Sequence, residues 1–263
     1  MSIIGILILI VSGALTLAYR AKKKKLAIME ATETSLAADL KNLSDGIAEE
    51  IGPGSFYQET EVKGRVTAVE PLTSELGELE CVHYQMSVHH VFEETYYEQN
   101  QRGERVRRTR QSSTKVADNS RTVPFYVEDR SGSIRIEPDG AEIIAQKVVS
   151  RFEQGRGRGM SVGRFHLDLS RSYSDSGRRT LGYRFEESAI PLNRDIYVLG
   201  AATDRRGEVC IEAPQNKGKF IISVKGEEVL LKETQSAMKT NLVLAVIFAI
   251  VGAGVLIYGF VGG

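Results

Sequence analysis

Net charge is what this chain of 263 residues most plainly lacks: 34 lysines and arginines stand against 34 aspartates and glutamates. A balanced chain has no global electrostatic footprint for a phosphate backbone, so no nucleic-acid partner is expected. Cysteine is scarce, at Cys81 and Cys210 alone. Two distant cysteines permit one disulfide, with strand-buried thiols as the preferred reading. No CxxC pair and no Cys/His array occurs, which speaks against a structural zinc centre. Gly155-Arg-Gly-Arg-Gly159 alternates glycine and arginine, but no Lys-Ser or Lys-Thr follows. It is therefore neither a P-loop nor a dinucleotide fingerprint. No internal repeat is visible. No catalytic residue, metal ligand or cofactor is assigned.

What is present begins with two apolar runs. Ile3 to Tyr19 (IIGILILIVSGALTLAY) carries no charge and is followed by Arg20 and Lys22 to Lys25. It has the short end of spanning length. A cleaved signal peptide would place its basic residues before the apolar core, and here they follow it. Leu242 to Val261 is a second uncharged run, preceded by Lys239. Both charge signals place the central region on the cytoplasmic side and both termini outside, in an integral, multi-pass membrane protein. Gly252, Gly254 and Gly259 permit close contact with the first span. The expected layout is transmembrane helix 1 over 1–19, a basic juxtamembrane segment and helix over 20–59, a β domain over 60–232, and transmembrane helix 2 over 240–262.

Between the spans, Leu26 to Ile51 reads as one amphipathic helix, with Ile28, Leu36, Leu40, Leu43 and Ile47 near one face and Gly52-Pro53-Gly54 as its stop. Its acidic polar face favours packing on the domain, or a short stalk, over a membrane-surface role. Strand signals begin at Thr60. Cys81, Tyr84, Met86 and Val88 open a strand that runs to Tyr97. Arg102-Gly103 marks a hairpin tip, and Glu104 to Arg110 leads back to Val116. This excursion reads as a long ribbon with two polar faces rather than core. Pro124 to Ala141 is the clearest stretch. Phe125 and Val127, then Ile134 and Ile136, alternate with polar residues around an Asp129–Gly132 turn, and Pro138-Asp139-Gly140 is a second turn. Ala141 to Phe152 reads as a short helix or a strand–helix hybrid. Ile196–Leu199, Cys210–Ile211 and Phe220–Val224 read as strands, and Glu227 to Ala237 as a helix feeding the second span. Seven to nine strands with one or two helices make a mainly β chain with flanking transmembrane helices. The layout expected is an elaborated antiparallel β domain resembling a partly open OB-type barrel, with a sandwich as the competitor.

Three groups invite chemical readings. His83, His89 and His90 lie close together, but a metal site needs a third convergent ligand such as His166, and ordinary strand histidines are the simpler account. Cys81 and His83 share a strand face without an orienting acid, so they do not form a nucleophile triad. Arg105, Arg107, Arg108 and Arg110, with Arg156, Arg158, Arg178 and Arg179, form a basic set facing anionic lipid headgroups, an acidic protein or single-stranded nucleic acid. Solvated loop charge is the preferred account of these arginines, because acids are interspersed.

The frame of two apolar spans around PFYVEDRSGSIRIEPDGAEI (124–143) and YRFEESAIPLNRDIYVLGAA (183–202) resembles the GIDE, or "beside a membrane", domain of mitochondrial RING-type ubiquitin ligases and their bacterial, archaeal and plant relatives. Asp129, Gly132, Pro138, Ala141, Glu187, Ile190-Pro191 and Leu199-Gly200 carry the resemblance. It implies a domain beside a membrane that engages a substrate or partner, with catalysis in a C-terminal RING. The cysteines and histidines of a RING are not found in this sequence. The expectation is therefore a non-enzymatic scaffold binding a protein partner or anionic headgroups, with ubiquitin transfer in trans as the alternative.

Overall fold

The computed structural model describes residues 2–154, 159–168, 178–215 and 218–261. Helix α1 spans Ser2–Ala31 and α2 Ala37–Ile51. Then follow β1 (Tyr57–Thr67), β2 (Leu72–Thr73), β3 (Glu80–Gln99), β4 (Arg105–Thr122), β5 (Phe125–Asp129), β6 (Gly132–Ile136) and β7 (Glu142–Ile144). Next come β8 (Gln146–Glu153), β9 (Gly159–Val162), β10 (Phe165–Asp168), β11 (Arg178–Pro191), β12 (Asp195–Thr203), β13 (Cys210–Glu212) and β14 (Ile221–Ser223), before α3 (Glu227–Val261). Strand makes up 45% of the chain, in a closed five-stranded barrel and a half-barrel, with long apolar helices at both ends. The β domain with flanking apolar helices is thus present, as a barrel. The strand count exceeds the expected range because β2, β7, β9 and β10 are too short to show a period. The chain divides into two compact units: Met1–Val62, Gly140–Glu142 and Tyr197–Gly263 form one, Lys63–Asp139 and Ile143–Ile196 the other.

In the first unit α1 and α3 lie antiparallel. Gly5 meets Leu256, Gly252 meets Leu9 and Ile8, and the Ser12 hydroxyl donates to the Ala245 carbonyl at 2.8 Å. A Cβ on Gly5 would lie 2.7 Å from Leu256 Cγ, and one on Gly252 2.9 Å from Leu9 Cδ2, so both glycines set the approach of the helices. Gly254, expected to do the same, has no neighbour within 4 Å. Helix α1 runs on through the basic cluster, and the helix expected over 26–51 is divided. Thr32 donates to the Ile28 carbonyl at 2.8 Å, and the chain then extends. Thr34 bridges Glu61 in parallel, with Ser35 N–H donating to Glu61 O at 2.9 Å. A β-branched residue bonding back one turn weakens a helix end, and the waiting strand partner completes the break. Gly52, at φ 99°, ends α2 and donates to Ala48 O at 3.0 Å. The same unit buries Tyr197 beside Glu61. Burial first, then the Glu61 carboxylate, pushes the Tyr197 phenol far above its ordinary value.

In the second unit β5 and β6 form the expected hairpin, pairing Phe125 with Ile136 and Val127 with Ile134. Asp129 Oδ1 closes the turn by accepting from Ser131 N at 2.7 Å and Gly132 N at 3.1 Å. Strand β3 lies between β4 and β11. Its first half is core: Val82, Tyr84, Met86, Val88, Val91 and Phe92 are all buried, which corrects the all-polar ribbon. Leu76, Met86, Val88, Val162, Tyr183 and Phe185 form one buried cluster. Residues 142–153 form β7 and β8, not a helix, since β8 is drawn into the ladder of β11 from Tyr183↔Glu153 to Ala189↔Gln146. β-Branched Ile143, Ile144, Val148 and Val149 suit that pleated surface.

Candidate functional site

The residues that carried the family resemblance have separate, local tasks. Asp129 and Gly132 close the turn just described, and the buried Pro138 follows β6. Gly140 takes a φ of 81° just before the half-buried Ala141. Glu187 is 1% exposed, and its carboxylate accepts from Leu76 N at 2.8 Å and Gly77 N at 3.0 Å. It thereby clamps the 74–79 loop onto β11. Pro191 ends β11 at a register shift opposite Cys81. A Cβ on Gly200 would sit 2.7 Å from Ile211 Cγ2 and 3.0 Å from Phe220 Cδ2, so only glycine lets those side chains close. Hydrogen bonding and packing account for these positions.

The reactive groups are tied down in the same way. Cys81 is buried, and desolvation, assisted by the Glu187 charge, pushes its thiol up to about 11. A thiol so protonated is a poor nucleophile. His83 Nδ1 is 2.8 Å from the Thr122 hydroxyl, and His90 Nε2 is 2.9 Å from that of Thr180. Burial lowers both imidazoles, and Arg178 lowers His90 further. His166 Nδ1 lies 2.9 Å from the Ser161 hydroxyl. Among the described residues no three His, Cys, Asp or Glu side chains gather as a metal site would require. A hollow of about 260 Å³ on the half-barrel, the sheet of β2, β3, β11 and β8 with β4 paired to β3, is lined by Gln85, Ser87, Lys115, Asp118, Lys147 and Glu186. Its ions pair with each other, Lys147 with Glu186 at 2.9 Å and Lys115 with Asp118 at 3.2 Å. A second, of about 290 Å³, is lined by Arg65, Glu128, Asp129, Arg130 and Asp195.

The basic set is more distinctive. Among the described residues, β3 and β4 pair only with each other beyond Glu94, as a two-stranded ribbon. In it Tyr96 faces Arg108, Tyr97 faces Arg107 and Glu94 faces Arg110. One face is neutralised. Arg110 pairs with Glu94 and stacks on Tyr96 at 5.5 Å, and Arg108 reaches Glu98 at 3.2 Å. Hydrogen bonds from Arg110 and Ser112 hold the Glu94 carboxyl below its ordinary value. On the opposite face Arg105 rests over Tyr97 at 5.6 Å, and Arg107 stands opposite the same ring. Sequence reasoning found the arginines but missed the tyrosines and Glu94, whose signal lay in the pairing across the hairpin. Arg156 and Arg158 lie outside the described residues, as does most of the Ser170–Arg179 loop.

Two helices, Ile3–Ala31 and Glu227–Gly259, are long and apolar enough to cross a membrane. Neither the curated proteins nor the solved structures yield a match to this chain. The family model for GIDE, described as E3 ubiquitin ligase, matches residues 93–257. More than half of the sequence is covered, and the chain therefore belongs to the GIDE family.

Proposed function

We propose that this GIDE-family chain is a membrane-anchored, non-enzymatic module whose β domain holds a partner at the cytoplasmic face. The observation that carries the reading is the helical hairpin. It turns large apolar side chains outward, with Ile3 75%, Leu17 66% and Ile250 68% exposed. At about 25 cal/mol per Å² of apolar surface, two such helices are strongly driven into lipid. Arg20, Lys22 to Lys25 and Lys239 lie at the domain-facing ends of the apolar runs, as cytoplasmic placement requires. The buried Cys81 and the hydroxyl-tied histidines support binding over reaction.

Carbonate extraction followed by protease protection tests this. The chain stays in the membrane pellet, and its β domain is digested only from the cytoplasmic side. Release into the supernatant, or digestion from the outer side, overturns it. A second reading rests on the family's description as E3 ubiquitin ligase. In it the domain recruits a conjugating enzyme, or a separate RING partner, in trans. Ubiquitin transfer by purified chain with activating and conjugating enzymes, present only when a RING partner is added, would favour that reading.

A further inference from the structure

We infer that the outer edge of β4 is a docking edge for an extended acidic polypeptide segment of another protein, which adds to the half-barrel as one more strand. The inference rests on the partner-binding reading above and names the partner's chemistry.

Three observations meet on this strand. First, among the described residues β4 pairs with β3 alone, from Gln99↔Arg105 to His83↔Thr122. Its other edge presents backbone N–H and C=O groups along 18 residues. A sheet edge of that length is a template for a further strand. Natural edges are commonly blocked by proline, and β4 contains none.

Second, the edge is guarded by charge of one sign. Arg105, Arg107, Arg108, Arg110, Lys115 and Arg121 oppose only Asp118 within β4. Such an edge repels a second copy of itself, because strand-to-strand self-pairing would set guanidinium against guanidinium. It admits a strand of opposite charge.

Third, the two faces of the ribbon are unequal. Arg108 and Arg110 already hold Glu98 and Glu94. Arg105 and Arg107 are two apart and so on one face. Among the described residues Arg105 rests over Tyr97, Arg107 stands opposite that ring, and neither is paired with an acid. A guest strand with acids at alternate positions, all turned to that face, meets both of these guanidiniums. Its other side chains fall on the neutralised face. The exposed Tyr96 and Tyr97 flank the contact with ring surface.

The test uses the full chain in nanodiscs of neutral phosphatidylcholine and a fluorescein-labelled octapeptide alternating glutamate and threonine, read by fluorescence anisotropy. A counterpart with proline replacing every threonine keeps the charge but cannot form the ladder. Binding of the threonine peptide, with the proline peptide at least ~10-fold weaker, is expected. Arg105→Gln with Arg107→Gln should weaken binding ~10-fold or more, and Arg108→Gln with Arg110→Gln, an equal loss of charge on the paired face, by less than ~3-fold. All four arginines are exposed, so these variants keep the fold. Equal binding of both peptides, equal effects of the two double variants, absence of binding, or displacement by phosphatidylglycerol vesicles would each overturn the inference. Failure of peptide binding in a chain that resists carbonate extraction sinks the docking edge alone, whereas extraction of the chain sinks the anchoring reading.

Discussion

Removing the Glu187 carboxylate offers the sharpest check on the fold, because its neighbour is a built-in control. Glu187 is buried and accepts two backbone N–H groups, from Leu76 and Gly77. Glu186, on the other face of β11, is a third exposed and pairs with the half-exposed Lys147. In Glu187→Ala the buried Leu76 N–H loses its acceptor, at about 1–3 kcal/mol, and the exposed Gly77 N–H turns to water at smaller loss. With the vacated side-chain volume the total comes to about 2–4 kcal/mol. Glu186→Ala forfeits only a surface pair, about 0–1 kcal/mol. For a domain of this size, 1 kcal/mol corresponds to roughly 2–4 °C in Tm, so Glu187→Ala should melt ~4–16 °C lower. Glu187→Gln keeps one acceptor and should fall between. The chain has no tryptophan and ten tyrosines, so near-ultraviolet circular dichroism of tyrosine in detergent follows the melt. If Glu187→Ala and Glu186→Ala melt together, the clamp on the 74–79 loop carries no weight and the argument fails.

Other expectations follow from the same packing. His83 is held neutral by burial, so its folded pKa lies below the ordinary 6.5. The unfolded chain then binds the extra proton first, and stability should decline as pH falls through about 6.5 toward the folded value. His83→Gln, which can still reach Thr122, should flatten that slope in a series of melts; an unchanged slope refutes the assignment. Cys81, with its thiol raised to about 11, should resist iodoacetamide at neutral pH until the chain is unfolded. Rapid labelling of Cys81 in the native chain would contradict the burial. Ser12→Cys with Ala245→Cys, in a chain whose two native cysteines are replaced by serine, should form an intramolecular disulfide on mild oxidation. Adding Gly5→Leu should suppress it by pushing on Leu256, and crosslinking insensitive to Gly5→Leu would argue against the glycine contact.

How much the sequence revealed depended on how local the cause was. The β5–β6 hairpin was legible in detail because Asp129 makes its own turn. The terminal helices were legible because hydropathy suffices to mark them. Ala141 to Phe152 misled, since Ile143, Ile144, Val148 and Val149 are spaced acceptably for either period. The decision came from β11, some forty residues on. The single helix expected over 26–51 failed for the same reason: Glu61, far along the chain, captures Thr34. At the candidate site the arginines were visible as composition. Their division into a neutralised and an open face was not, because the register across the ribbon depends on a bulge between Val88 and His89.

The junction of β14 with α3 has a further consequence. Only Val224, Lys225 and Gly226 separate Ser223 from Glu227, and Lys225 is itself tied to Glu233 at 2.6 Å. At the other end Thr34 joins the descending chain directly to β1. On the anchored reading proposed above, the strands attached here follow the helix after a three-residue connection rather than a long leash. On that reading diffusion is reduced to two dimensions, and encounters favour molecules that present themselves in a thin layer next to the bilayer. A weak grip suffices in that layer, since confinement raises the effective concentration of anything else attached to the same surface.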